Sequence, residues 1–167
     1  LVLTAFFVII CYYQKKHLSV CRGVMPTAGS IGGDFYTKLK HPVIIASIIT
    51  IICGVFHFYL PRLYDWGKYL KILPADLSSG LRATNYILGI ILCLLGIFSS
   101  LVIVFTPLDS VIVGVWIGNM TVIWFFRLIY HLKYPLGKAL KIYFPMSAVF
   151  ILAALCFLKG LLVFLLN

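Results

Sequence analysis

Four stretches of this chain, residues 42–60, 85–105, 111–126 and 142–158, contain no Lys, Arg, Asp or Glu. Each is close to the roughly 20 apolar residues that a helix needs to cross a bilayer. Inside lipid every backbone N–H and C=O must be satisfied within the protein, so runs of this kind are expected to become helices. Composition agrees: 63% of the residues are hydrophobic and 11% charged, against roughly half and a quarter in soluble domains. The expected fold is an all-α polytopic transmembrane bundle with four full spans. A fifth apolar run, residues 1–13, would be only about 20 Å long as a helix. It has neither the basic start nor the small-residue cleavage motif of a secretory signal, and reads as a shortened N-terminal span. The organisation expected is therefore a segment 1–13, a polar Gly/Lys-rich loop 14–41, and a four-helix bundle 42–167 with an interfacial helix at 62–73.

The charge balance is lopsided. Fourteen Lys and Arg face four acids, Asp34, Asp65, Asp76 and Asp109, giving a net charge of +10. The basic residues lie between oily segments, which points to anionic lipid headgroups as partners and away from nucleic acid. With five spans, loops 61–84 and 127–141 share one side and hold eight Lys and Arg, against five in 14–41 and 106–110. The positive-inside tendency then puts the first pair in the cytoplasm. The five cysteines show no CxxC spacing, so neither a disulfide framework nor a metal site is expected.

Helices in lipid associate through small residues that let backbones approach closely. Such residues recur in the spans at Ala46, Thr50 and Gly54, at Gly89 and Gly96, and at Gly114 and Gly118, which predicts a compact bundle. Polar groups at depth are few. Asn119 and Thr121 fall midway along the third run, and Lys159 is expected near the far boundary of the last. Arg127 follows "VIWFF" at the end of its run and reads, with Lys133, as an interfacial anchor.

Four histidines are present, and His57 and His131 fall near the ends of two different spans on one side of the membrane. Two imidazoles from separate helices can ligate a haem iron axially, so His57 and His131 are the candidate ligands should haem b be bound. No catalytic residues are expected. The chain has no Glu, and no Asp falls within a run to serve as a proton-relay carboxylate.

The stretch "GVFHFYLPRLYDWGKYLKILP", residues 54–74, ends one span and starts something else. Pro61 is expected to break the span. Beyond it Leu63, Trp66, Leu70 and Leu73 recur at helical spacing, with Lys68 and Lys71 on other faces. An amphipathic helix of this kind lies in the interface with its apolar face in the acyl boundary, anchored by Arg62, Trp66, Lys68 and Lys71. This stretch, with G-x-x-H-F-x-x-P followed by "YLKILP" and paired spans, resembles the DoxX-like group of small bacterial membrane proteins. The resemblance implies a four-helix bundle with an interfacial segment after its first helix, in a bacterial inner membrane. Within it, "FYLPRL" is similar to the membrane-type bacterial protoporphyrinogen oxidase, a haem protein whose motif His lies earlier in the helix than His57.

The functional expectation is a non-catalytic accessory or structural subunit of a larger membrane protein complex, with no cofactor and with other membrane subunits as partners. The alternative is a haem- or quinone-linked redox protein using His57 and His131. A third class, a small transporter, would need a polar cavity around Asn119 and a deep Lys159.

Overall fold

The computed structural model describes residues 31–108, 110–134 and 143–166, which form helices and short connections. In chain order they are α1 (Ile31–Leu63), a short α2 (Trp66–Tyr69) continued by a 3-10 turn (Leu70–Ile72), α3 (Ala75–Phe105), α4 (Val111–Lys133) and α5 (Tyr143–Leu166). Within α1, Thr37–Leu63 is long and apolar enough to cross a membrane, as are α3, α4 and α5 in full, so the described chain is a four-span integral membrane protein. The expected N-terminal span 1–13 and loop residues 14–30 lie outside the described residues.

Three boundaries differ from the sequence expectation, each for a physical reason. First, α1 does not start at Pro42 but at Ile31, so the end of the expected loop 14–41 is helical. A proline inside a helix removes one hydrogen bond. Here tertiary packing holds the segment across it, because Leu39 and Val43 on either side of Pro42 are fully buried. Second, α1 runs through Pro61 to Leu63 instead of breaking there. The expected interfacial helix 62–73 is divided accordingly: Arg62 and Leu63 end α1, and only Trp66–Ile72 forms the surface turns. The chain turns at Asp65, whose φ of 47° is left-handed, a conformation Asp tolerates better than most residues. Third, α3 begins at Ala75, ten residues before the apolar run at 85. At 31 residues it is about 46 Å long, more than the roughly 30 Å hydrocarbon core. Its buried residues start at Asn85, so 75–84 stands clear of the bundle.

The tight turn after α3 is capped by Ser110, whose Oγ accepts from the Ile112 N–H at 3.2 Å. Leu108, 3% exposed, pins the turn to the core.

The spatial order of the spans is not their chain order. α1 packs against both α3 and α5, and α5 packs against α4, whereas α3 and α4 touch little. Where α3 and α4 do meet, Phe98 stacks edge-on with Trp116 at 4.6 Å, and Trp116 Nε1 donates to Ser99 Oγ at 2.8 Å. The α1–α3 seam depends on missing side chains. A Cβ on Gly54 would lie 2.7 Å from the Cys93 backbone nitrogen, and one on Gly96 would lie 2.7 Å from the Ser47 carbonyl oxygen. Gly114 accommodates the Phe164 ring, and Gly160 accommodates Val43. Ala46 and Thr50 are fully buried, and Gly118 is buried in α4.

The seam yields a paired prediction. Gly96→Val forces backbone apart and is expected to cost about 1–3 kcal/mol, the usual range for overpacking. Gly80→Ala, in the projecting part of α3 with open space at its Cα, is expected to gain up to about 1 kcal/mol from helix propensity. Unfolding of both variants in mild detergent checks the pair.

Candidate functional site

A helix-interior proline leaves the carbonyl four residues earlier without its donor. For Pro61 that carbonyl belongs to His57, and the structure supplies a replacement from another helix. Asn85 Nδ2 donates to the His57 carbonyl oxygen at 2.7 Å. This is the physical reason that α1 continues through Pro61. Gly89, one turn further along α3, permits the approach: a Cβ there would sit 3.1 Å from His57 Cβ.

The same amide orients the imidazole. Because its nitrogen is committed to a carbonyl, which only accepts, the Asn85 Oδ1 must be the atom facing the ring. His57 Nδ1 therefore carries the proton and donates to Oδ1 at 2.9 Å. Nε2 is left as an acceptor, and Arg127 Nη2 of α4 donates to it at 3.2 Å. His57 and Asn85 are 6% and 7% exposed. The guanidinium also lies over the Phe150 ring of α5, 5.4 Å from its centroid, so all four spans meet around one cluster.

His57, Arg127 and Phe150 of this cluster form part of the wall of a partly enclosed cavity of about 320 Å3, at the lower end of the roughly 300–1,000 Å3 typical of ligand sites. The remaining lining is apolar or aromatic, with Leu88 and Leu92 from α3, Ile123 and Phe126 from α4, and Trp124 and Phe150 at the back. Trp124 Nε1 is satisfied by Thr50 Oγ1 at 3.2 Å, which ties α4 directly to α1. At 1.5 Å per residue, both His57 and Arg127 lie about 9 Å inside the ends of their helices.

His131 sits at the same end of the bundle but faces α5. Its Nε2 donates to Ser147 Oγ at 3.1 Å, whose hydroxyl in turn donates to the Tyr143 carbonyl at 2.8 Å. The ring stacks on Tyr143 at 5.0 Å and meets the edge of Phe150 at 4.9 Å. The structure thus brings His57 together with Arg127 and Asn85, while His131 pairs with Ser147. Axial ligation of a metal by His57 Nε2 would first require the guanidinium to be displaced.

Arg127 reads in the sequence as an interfacial anchor, and in the structure its guanidinium turns to His57 and lines the cavity. The signal for this is periodicity, since Trp124, Arg127 and His131 fall on one helix face at spacings of three and four. Arg62, Lys68, Lys71 and Lys133 are exposed at this end of the bundle and Trp66 is partly so. Asn119 is half-buried and Lys159 exposed, and neither lines this cavity. Among the described residues no group of three or more His, Cys, Asp or Glu is placed to hold a metal ion.

Fold and site together define a polytopic α-helical integral membrane protein with a polar cluster set into one end of its bundle. Comparison of the chain with models of known families, with curated proteins and with solved structures finds no match.

The replacement donor gives a sharp prediction. Asn85→Ala leaves the His57 carbonyl and Nδ1–H without partners and is expected to destabilise by about 1–3 kcal/mol. Pro61→Ala restores a backbone N–H to that carbonyl, so Asn85→Ala should cost less in the Pro61→Ala background. A double-mutant cycle measured by unfolding in detergent tests this, and strict additivity would show that the two residues act independently.

Proposed function

We propose that this integral membrane protein is non-catalytic and serves as an accessory subunit of a larger membrane protein complex. The observation that carries the reading is the projecting start of α3. Leu77 and Leu81 lie one turn apart on residues 75–84 and are 52% and 42% exposed. Ile72 and Leu73, in the preceding connection, are also exposed. Lys68, Lys71 and Arg82, in the same stretch of chain, are exposed as well.

The mixture of leucines and basic groups on this segment suits contact with a partner chain at the membrane surface. The same basic groups can meet anionic headgroups. The likeness of residues 54–74 to the DoxX-like group favours a bacterial inner membrane as the location.

Affinity purification of the full chain in mild detergent is expected to recover a defined set of partner chains. The double substitution Leu77→Asp and Leu81→Asp should release them while leaving the unfolding temperature of the bundle unchanged. A lone monomer from the same membranes would sink the reading. A lone monomer with a Soret band that disappears in His57→Ala would put a haem protein in its place.

A further inference from the structure

The guanidinium of Arg127 poses a question that the accessory reading does not answer. It lines an otherwise largely apolar cavity at a depth where an uncompensated charge is costly. Its partners among the described residues are a neutral imidazole nitrogen and an aromatic face. Neither removes its charge. Among the described residues no carboxylate pairs with it. The chain offers few alternatives, having four Asp and no Glu. Two of the four, Asp65 and Asp76, lie in or next to the connection between α1 and α3.

A guanidinium has five N–H donors in a rigid fork that matches a carboxylate or phosphate. His57 Nε2 takes one of them. The fork is also held in place, because His57 is fixed by Asn85 on one side and the guanidinium carbon lies over the Phe150 ring. Around it the cavity continues between α3 and α4, which touch little along their length, over Leu88, Leu92, Ile123 and Phe126. A cationic fork at the head of an apolar slot between two weakly packed spans has the chemistry of one ligand class.

We propose that this cavity binds a membrane amphiphile with an oxyanion head, the head gripped by Arg127 and the acyl chain running between α3 and α4. The head is a carboxylate or a phosphate of net negative charge, both of which the guanidinium fork accepts in the same bidentate manner, whereas a phosphocholine already has its phosphate balanced by its own ammonium. The ligand comes from the bilayer itself, through the α3–α4 side. This site is internal and distinct from the exposed lysines of the 64–74 connection, and its occupancy does not depend on a partner chain.

Trp124, in the cavity wall, provides the readout. The full chain carrying Trp66→Phe and Trp116→Phe, which leaves Trp124 as the sole tryptophan, is reconstituted in phosphatidylcholine vesicles. Brominated oleic acid, brominated phosphatidylglycerol or brominated phosphatidylcholine is then added at equal mole fraction, at mildly alkaline pH. Quenching of Trp124 is expected to saturate at about tenfold lower mole fraction for at least one anionic probe than for the neutral one. The responding arm tells a carboxylate source from a phosphate source. Arg127→Gln should erase the preference, and Arg127→Lys, which keeps the charge but loses the fork, should retain part of it.

Leu92→Phe narrows the chain slot without touching the charge and should raise the mole fraction needed. It decides the matter if Arg127→Gln does not fold. Equal quenching by all three probes in the parent protein overturns the proposal. So does an anionic preference that survives Arg127→Gln, or, where that variant does not fold, a saturating mole fraction of the anionic probe that Leu92→Phe leaves unchanged.

Discussion

A carbonyl that has lost its donor organises one end of this protein. Pro61 leaves the His57 carbonyl unpaired in a setting where backbone polar groups must be satisfied within the protein, and Asn85 of α3 takes over the missing bond. The consequences follow in order. The amide nitrogen is committed, so its oxygen must face the ring, and His57 Nδ1–H becomes the donor. That choice turns the lone pair of Nε2 toward α4, where Arg127 meets it. A defect in one helix thereby sets the register of a second and the aim of an arginine on a third.

The seam between α1 and α3 works to the same end. Gly54, Gly89 and Gly96 bring the two backbones close enough that even a methyl group would collide or press on its neighbours. Close approach gains dispersion contacts where lipid supplies no hydrophobic drive between helices. It also puts the short Asn85 side chain within reach of a backbone atom in α1. A longer amide on a looser seam would have more rotamers to freeze. The small-residue packing and the polar cluster are two aspects of one contact.

Much of this fold is legible in the sequence, because uncharged runs of spanning length leave a helix as the one economical structure. The small-residue rows announce tight packing for the same reason. The helix ends are less legible. Proline normally argues for a boundary, and at Pro42 and Pro61 the tertiary structure overrides it, through buried neighbours in the first case and a borrowed donor in the second. Asn85 looks like the polar start of a span until its partner is known. Arg127 looks like a surface anchor because aromatics precede it, although the apolar pattern runs on to Lys133. What sequence reading misses is a pairing between helices, which no local pattern encodes.

The spatial order of the spans bears on how the protein is made. α1 meets α3 along its length, so the first two described spans can form a stable hairpin as soon as both are in the membrane. The next, α4, has little hold on α3 and finds its main neighbour only in α5. If the spans enter the membrane in chain order, α4 arrives before α5, with contacts near the turn through Trp116 and across to α1 through Trp124 and Arg127 as its available holds. The interhelical polar bonds of α4 therefore act first as temporary moorings for an unfinished bundle, and α5 makes the arrangement permanent by filling the space between α1 and α4.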